Sequence, residues 1–298
     1  MSSMAEMPTP AGAALHVVPP RLELGHFQGQ PCVHLLLPGG DSVRIALHGA
    51  QVLSWVCGGR ERLYLSPQAL FDGRSAIRGG IPICFPQFNQ RGTLPKHGFV
   101  RNVPWETDPS AEWVGSAAQF SLSLADTPET RALWPHAFAI SLTVQLAQGS
   151  LQVTLTARNN GNQALAFTGA LHTYLAVSNV GDVWVSGLDG QPSWDALTDQ
   201  LGLQEDDIFF DGEFDRVFVA APAPLTLHDG KQRLRIAQSD SLADTVVWNP
   251  GEALCQRLSD MPPDGYRHML CIEAAQVLKP VTLAAGASWQ GWQRLTVL

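Results

Sequence analysis

The sequence predicts an all-β protein, a large antiparallel β-sandwich with a few short helices. Apolar and polar residues alternate through many segments, and short turn signals separate these segments. No fixed-period repeat, low-complexity segment or linker divides the chain. With 298 residues, of which 45% are hydrophobic and 15% charged, the chain can bury one large core. We therefore expect residues 21–298 to form a single domain.

Residues 1–20 predict a flexible N-terminal tail. They contain no Lys or Arg and no continuous apolar run, so they do not resemble a signal peptide. No segment approaches the roughly 20 apolar residues that a membrane helix needs. The five cysteines are widely spaced and form no C-x-x-C pair, which argues against a zinc site or a redox dithiol. We expect them to be reduced and buried in a cytoplasmic protein.

The strands are predicted from alternation and turns, in chain order. Residues 33–37 and 43–47 form a hairpin around the turn Pro38–Asp41, and residues 52–56 add a strand. Further along, residues 142–146 and 151–155 pair around the turn Gln148-Gly149-Ser150.

The second half of the chain continues the pattern. The turn Asn159–Asn162 leads into a strand at residues 165–167. Residues 225–227 and 234–236 form a hairpin around Asp229-Gly230, and residues 289–297 close the chain as a strand.

Two short helices are predicted. Pro128 lies two residues after Asp126, and Glu129 lies three residues after it. This pattern is typical of a helix N-terminus with Asp126 as the cap. This helix should end by Trp134-Pro135. The segment Trp194 to Leu201 predicts a further turn or two of helix.

The segment Ile77 to Trp105 is rich in Gly and Pro yet apolar, which predicts a stiff, half-buried loop. It carries five basic or potentially basic residues: Arg78, Arg91, Lys96, His97 and Arg101. In a protein of net charge −8, this concentration indicates a pocket for an anion. The alternative is a structural loop whose cations are solvated or paired with carboxylates, and Arg91 and Lys96 taken singly fit that description. Arg78 and Arg101 favour the pocket, because guanidinium groups suit phosphate or carboxylate.

Two predicted strands carry an ionisable residue where a core residue would be expected. In Thr168 to Val177, His172 shares a face with Ala170 and Tyr174; in Tyr266 to Val277, Glu273 shares a face with Met269 and Cys271. His172 alone could be a hydrogen-bonded core histidine, and Glu273 alone could form a buried ion pair with an Arg. Together they indicate acid–base chemistry, because a buried carboxylate is uncommon unless it is paired or functional.

The sequence resembles the hexose-6-phosphate mutarotases (glucose-6-phosphate 1-epimerases) of the aldose 1-epimerase superfamily. The matching segments run in order from about Pro38 to the C-terminus. They are Ile77–Pro82, Phe85-Pro86, His97–Asn102, Trp105-Glu106, Leu171–Tyr174, Trp248–Pro250, Asp260-Met261 and Ile272-Glu273. Any one of these motifs is weak evidence, and together they are specific.

The resemblance implies a galactose-mutarotase-like sandwich without a cofactor or metal. It assigns Glu273 as the base that takes the proton of the anomeric hydroxyl, and His172 as the acid that protonates the ring oxygen. Arg78 and Arg101 would hold the phosphate, with Lys96 nearby, and Asp215 would hold sugar hydroxyls. For His97 we expect a place in the substrate pocket.

Two rivals remain from the sequence, an epimerase of unphosphorylated aldoses and a non-catalytic carbohydrate or sugar-phosphate-binding protein. The net negative charge argues against nucleic acid or an anionic membrane as a partner. The histidines show no H-E-x-x-H spacing, and no G-x-S-x-G elbow indicates a serine hydrolase. We expect a monomer that binds a small sugar phosphate.

Overall fold

The structure of the protein is a computed structural model that describes residues 21–107, 112–114, 117–219 and 223–298. Antiparallel strands dominate these residues and helices are few, which confirms the all-β prediction. The predicted tail, residues 1–20, lies outside the described residues. Neither α-helix in the described part of the chain is long and apolar enough to cross a lipid bilayer.

The strands, taken over the described residues, have the following bounds. They are β1 (Arg21–Phe27), β2 (Gln30–Leu36), β3 (Ser42–Ala46), β4 (Val52–Cys57), β5 (Arg60–Glu61), β6 (Ile83–Cys84), β7 (Glu106–Thr107), β8 (Glu112–Val114), β9 (Ala117–Ala125), β10 (Phe138–Ala147), β11 (Ser150–Asn159), β12 (Leu165–Leu171), β13 (Tyr174–Ala176), β14 (Val183–Ser186), β15 (Pro192–Asp195), β16 (Gln200–Leu203), β17 (Ile208–Phe209), β18 (Phe214–Val219), β19 (Leu225–Asp229), β20 (Gln232–Gln238), β21 (Asp244–Asn249), β22 (Met269–Leu283) and β23 (Ser288–Val297).

The helices in the same residues are short. The α-helices are α1 (Pro128–Leu133) and α2 (Gly251–Cys255), and the 3₁₀ helices are Val100–Asn102, Val180–Asp182 and Gly265–His268.

Three sheets contain these strands. The first has five strands in the order β1-β2-β3-β4-β5. The second has ten strands in the order β17-β14-β19-β20-β23-β11-β10-β9-β7, with β8 on β9. The third has eight strands in the order β16-β15-β18-β21-β22-β12-β6, with β13 also on β22. This third sheet carries the candidate active site.

The hairpins predicted from alternation are confirmed. Strands β2 and β3 pair Val33 with Ile45, and β10 and β11 pair Leu142 with Leu155. The predicted strand at residues 289–297 is β23, which pairs with both β11 and β20. The alternation of apolar and polar residues was sufficient to predict these hairpins, because each of these strands has one face on the core.

The largest cluster of buried side chains draws on all three sheets, from Val33 in the first to Leu295 near the C-terminus. Strand β22 shows how the third sheet is divided. Leu270 and Ile272 belong to this main core, whereas Met269 and Cys271 pack in a separate cluster on the opposite face. Neighbouring side chains of a strand point to opposite faces, so Glu273 shares the face of Cys271, away from the main core.

The short helix predicted to begin at an Asp126 cap and to end by Trp134-Pro135 is confirmed as α1, but its cap is one residue later than expected. Thr127 is the N-cap: its side chain accepts a hydrogen bond from the Thr130 amide, and the Thr130 hydroxyl accepts one from the Thr127 amide. Asp126 instead accepts a hydrogen bond from the Phe138 amide and pairs with Arg131. Adjacent Asp and Thr are both good caps, so the pattern alone could not choose between them.

The prediction of helical turns at Trp194 to Leu201 is wrong, because this segment is the hairpin β15–β16. The Asp195 carboxylate accepts hydrogen bonds from the amides of Leu197 and Thr198 at 3.0 and 3.1 Å. This Asx turn satisfies the backbone locally and competes with a helix. Asp199 completes the turn with φ of 56°.

Gly80 anchors the loop that carries Arg78. It has φ of +64°, and a Cβ there would lie 2.0 Å from the Val52 carbonyl oxygen. Its amide donates to Tyr64 and its carbonyl accepts from Tyr174, both in backbone hydrogen bonds. Only a residue without a side chain fits this close approach.

We expect Gly80→Ala to lower the free energy of unfolding by roughly 3 kcal/mol or more, because both φ strain and a backbone clash must be relieved. Gly149→Ala is the matched control, since Gly149 has φ of +73° but no atom within 4 Å of the position that a methyl group would take. That variant should lose only about 1 kcal/mol, the strain alone. Urea unfolding of both variants measures the difference, and equal losses would contradict the proposed clash.

Candidate active site

A cavity of about 230 Å³ lies on the face of the eight-stranded sheet that points away from the main core. A cross-strand row of side chains lies on this side of the sheet. Asp215 on β18 pairs with Trp248 on β21, which pairs with Cys271 on β22, which pairs with Tyr174 on β13. Residues opposite each other in adjacent strands point to the same side. Asp215, Trp248 and Tyr174 line the cavity, whereas Cys271 is buried beneath it.

His172 lies at the break between β12 and β13, so the prediction of a mid-strand position is wrong. The His172 amide donates to the Pro82 carbonyl at 3.0 Å, while the Thr173 carbonyl still accepts a hydrogen bond from the Ile272 amide of β22 at 3.1 Å. The Thr173 hydroxyl donates to Gln293, whose amide group donates to the Ile272 carbonyl at 2.9 Å. A buried glutamine from the second sheet thus holds the break in place, a long-range contact that local sequence does not reveal.

The predicted face of His172 is confirmed. Leu171 and Leu175 point into the main core. The imidazole stacks on Tyr174 with ring centres 4.8 Å apart, and its edge meets Trp248 at 6.0 Å. These rings leave His172 only 7% exposed and fix its orientation.

Glu273 lies in the middle of β22, as predicted, and is 1% exposed. Its Oε1 is 3.3 Å from His172 Nε2. Glu273 Oε2 and His172 Nδ1 are buried and have no hydrogen-bond partner among the described residues. The structure therefore brings the predicted acid and base together, with unused hydrogen-bonding capacity at a cavity.

Burial dominates the electrostatics of this pair. It raises the pKa of Glu273, and repulsion by Asp215 raises that pKa further, while Arg101 opposes the shift. Burial lowers the pKa of His172, and the positive charges of Arg101 and Arg78 lower it further. Burial thus disfavours the charged form of each group, so the two groups together favour holding one proton between them.

Asp215 lies on β18 in the cavity, close enough to influence Glu273. Burial raises the pKa of Asp215 to about 6, an effect that Lys96 opposes and Glu213 reinforces. A buried carboxylate held near a sugar-sized cavity offers two hydrogen-bond acceptors.

Arg78 is held from both its backbone and its side chain. The buried Gln51 amide donates to the carbonyls of Ile77 and Gly79, at 2.9 and 2.6 Å, on either side of Arg78. The guanidinium forms an ion pair with Asp260 at 3.1 Å and donates to the Tyr174 hydroxyl at 3.0 Å. The alternative of pairing with a carboxylate is therefore correct for Arg78, although Arg78 still lines the cavity.

Arg101 differs from Arg78 because it has no ion pair within the described residues. Its Nη2 donates to the Lys96 carbonyl at 3.0 Å, and its buried Nε has no partner there. Lys96 and Arg101 both line the cavity and also a wider outer cleft of about 600 Å³. Arg91 lies elsewhere, with its guanidinium 4.5 Å from the Trp194 ring centre.

His97 lines the cavity as expected. It has φ of 65°, and its Nδ1 accepts a hydrogen bond from the Asn89 amide at 3.2 Å and lies 3.0 Å from Cys84 Sγ. Burial, followed by repulsion from His172, lowers the pKa of His97. His97 is therefore a neutral ring whose orientation is set by the loop and whose edge meets His172, with ring centres 5.4 Å apart.

Sequence reasoning from the residues assigned no role to several residues that line the cavity or the cleft, among them Tyr174, Trp248, Arg257 and Asp260. Tyr174 could have been found from the sequence, because it shares a strand face with His172. Trp248 could have been found once the strand order is known, because it lies opposite Cys271 in the neighbouring strand. Arg257 and Asp260 lie in a loop after α2, and no local pattern relates that loop to Arg78.

Comparison with known proteins gives consistent results. The family described as aldose 1-epimerase matches residues 32–296. A candidate glucose-6-phosphate 1-epimerase of Cenchrus ciliaris is 39% identical over 258 residues, which cover 83% of this chain and 78% of that protein. A protein of the same description from Escherichia coli is 34% identical over 241 residues, covering 77% of this chain and 78% of that protein.

A solved structure is also similar. The crystal structure of a candidate mutarotase from Salmonella typhimurium superposes with a TM-score of 0.85 and 29% identity. The match covers 95% of each chain. The three-sheet architecture described above is thus of the mutarotase type.

We expect Asp215→Asn to raise the free energy of unfolding at pH 7 to 8. With a folded-state pKa of about 6 and an ordinary value of 3.8, the folded state keeps a proton that the unfolded state has released between about pH 4 and 6. Stability therefore falls as pH rises through this window. Replacing the carboxyl group with an amide should therefore raise the free energy of unfolding by about 1–3 kcal/mol above pH 6 and leave it almost unchanged below pH 4.

Asp195→Asn is the matched control on the neighbouring strand. Partial burial would raise the pKa of Asp195, but hydrogen bonds from Arg216 and the amides of Leu197 and Thr198 hold it below its usual value. This variant should lose stability at neutral pH. Urea unfolding as a function of pH measures both, and a stability gain for Asp215→Asn that is independent of pH would contradict the argument.

Proposed function

The chain belongs to the aldose 1-epimerase family, and we propose that this isomerase interconverts the α and β anomers of hexose 6-phosphates, glucose 6-phosphate above all. The observation that carries the proposal is the pairing of His172 with Glu273, 3.3 Å apart, beneath a cavity mouth lined by Lys96 and Arg101. An acid and a base can then serve the two oxygens on one anomeric carbon while cations hold an anion at the other end.

The ring opens by two proton transfers. Glu273 takes the proton of the anomeric hydroxyl as the bond between that oxygen and C1 becomes a carbonyl. The bond from C1 to the ring oxygen breaks, and His172 gives its proton to that oxygen. Rotation about C1–C2 presents the other face of the aldehyde. Reversal of both transfers closes the ring to the other anomer and restores Glu273 and His172, so no proton is gained or lost overall.

Bound phosphate favours protonation of His172, the acid of this sequence. In the empty site, Arg101 and Arg78 lower the pKa of His172 beyond the effect of burial. A phosphate dianion beside these guanidinium groups offsets their charge, so the pKa of His172 rises when substrate binds. The substrate's own anion thereby helps to place the proton on the acid.

Arg101 is the principal phosphate ligand in this proposal. Its Nε has no partner among the described residues, so it retains a donor for an incoming anion. Arg78 is partly neutralised by Asp260 and held in place, and it contributes orientation more than net charge. Lys96 adds a second cation at the mouth. A neutral hexose would not need this arrangement, which disfavours an epimerase restricted to free aldoses.

Asp215 and His97 complete the sugar pocket. The Asp215 carboxylate accepts hydrogen bonds from ring hydroxyls, and His97 forms part of the wall beside His172. The five cysteines are free and buried, which suits a reducing compartment. We therefore place the enzyme in the cytoplasm, acting as a monomer.

We expect His172→Asn and Glu273→Gln each to lower kcat for anomer exchange by roughly 10²–10⁴-fold, because each removes one proton-transfer group. NMR saturation exchange between the anomers of glucose 6-phosphate measures the rate. Thermal unfolding monitored by circular dichroism verifies that the fold is kept. A folded variant with a near-native rate would contradict the assigned role, and binding without exchange by the native protein would indicate a sugar-phosphate-binding protein.

We expect Arg101→Ala to raise KM for glucose 6-phosphate by about 10–100-fold, since it removes charge-assisted hydrogen bonds to phosphate. KM for glucose should change by no more than about 3-fold. Arg91→Ala is the matched control, an arginine of the same loop that packs on Trp194 outside the cavity. An equal increase in KM for glucose 6-phosphate and for glucose would contradict the proposed binding of phosphate by Arg101.

A further inference from the structure

We propose that His172, Cys271 and Glu273 form a binding site for a thiophilic divalent cation such as Zn²⁺, and that its occupancy blocks the enzyme. The inhibitory part of this proposal rests on the proposed function, whereas the binding part does not. The resemblance gives Cys271 no role, and the proposed acid–base chemistry does not use its thiol.

The three donor groups lie close together at the base of the cavity, where His172 and Glu273 line it and Cys271 is buried beneath them. One donor atom from each residue lies within 4.8 Å of the others. Cys271 and Glu273 are two residues apart on β22 and point to the same face. Tyr174, which pairs with Cys271 across the sheet, brings His172 to that face.

This spacing is close to what zinc requires. Bonds of about 2.0–2.3 Å to nitrogen, oxygen and sulfur place tetrahedral zinc ligands roughly 3.3–3.8 Å apart. His172 Nε2 and Glu273 Oε1 are already 3.3 Å apart. Moving the thiol by about 1 Å, through rotation of its side chain, would complete the set.

The donor chemistry also fits. Imidazole, thiolate and carboxylate are the three ligand types that zinc uses in proteins. A metal bound to His172 Nε2 and Glu273 Oε1 would replace the contact between these two atoms, and Glu273 Oε2, which has no hydrogen-bond partner among the described residues, is free to join the coordination. Cys271 would release its thiol proton on binding. The resulting complex of one dication, one thiolate, one carboxylate and a neutral imidazole has no net charge, which suits a buried site.

Occupancy would stop the reaction for a simple reason. The metal would take the lone pairs that Glu273 and His172 need for proton transfer. With three protein ligands, its fourth position would open toward the cavity, where the proposed function places the anomeric oxygen of the sugar. Metal and sugar phosphate would therefore compete for one site. The cations at the mouth, Lys96 and Arg101, would repel the incoming dication, so we expect inhibition to develop slowly.

The test compares the full-length native protein with Cys271→Ala, and Cys255→Ala serves as the matched control. Cys255 packs in the same apolar cluster as Cys271 but lies outside the three-residue group. Anomer exchange of glucose 6-phosphate is measured against ZnCl₂ concentration after preincubation. We expect Zn²⁺ to inhibit the native protein and Cys255→Ala, with reversal by EDTA and protection by substrate. Cys271→Ala should keep a rate within about 2-fold of native and need at least 10-fold more Zn²⁺ for half inhibition.

Cobalt provides a readout that does not depend on catalysis. The native protein with CoCl₂ should show a thiolate-to-cobalt charge-transfer band in the near ultraviolet, and the band should be lost in Cys271→Ala. Absence of the band in the native protein would overturn the site, whether or not the variant folds. Equal zinc sensitivity of native protein and Cys271→Ala would overturn it as well. A cobalt band that depends on Cys271, in a protein without epimerase activity, would support the site and refute the proposed function.

Discussion

The burial of two titratable groups against each other is the constraint on which the rest of the site depends. His172 and Glu273 are held on a sheet face among aromatic and apolar side chains, with almost no contact with solvent. In such surroundings the ionised form of either group alone has a high free energy. The protonation state of each group therefore depends on the other group and on nearby charges. Asp215, Arg78 and Arg101 therefore influence the proton state of the pair, and in the proposed mechanism they act on the acid–base chemistry without touching the reacting bond.

The register of the sheet places the two groups opposite each other. Strands β12 and β13 pair with β22 in one register, so His172 faces Glu273 across the sheet although the ladder is interrupted between β12 and β13. Gln293 from the second sheet holds this interruption. The His172 amide points away from β22 and donates to the Pro82 carbonyl, which ties His172 to the loop that carries Arg78. The proposed catalytic and anion-binding parts thus share one backbone connection.

The two arginines of the loop illustrate how similar residues acquire different uses. Arg78 is bound by Asp260 and Tyr174, and Gln51 fixes the peptide groups on either side of it. Arg101 has one hydrogen bond, to a carbonyl, and an unpartnered Nε within the described residues. A guanidinium already paired with a carboxylate can orient a ligand, whereas one held only by a neutral group has more charge to offer an anion.

The sequence by itself determined the all-β class, the hairpins, and the faces on which His172 and Glu273 lie, because period-2 alternation records which side of each strand is buried. It also indicated the residues of the proposed anion-binding loop, since its glycines, prolines and cations are adjacent in the chain. Only the tertiary structure decided the cap at Thr127, the hairpin at Trp194 to Leu201, and the break at His172. It alone decided that Asp260 pairs with Arg78 and that Cys271 lies beside His172 and Glu273. These features depend on contacts between residues distant in the chain or on competition between similar local hydrogen bonds, and neither leaves a periodic signal in the sequence.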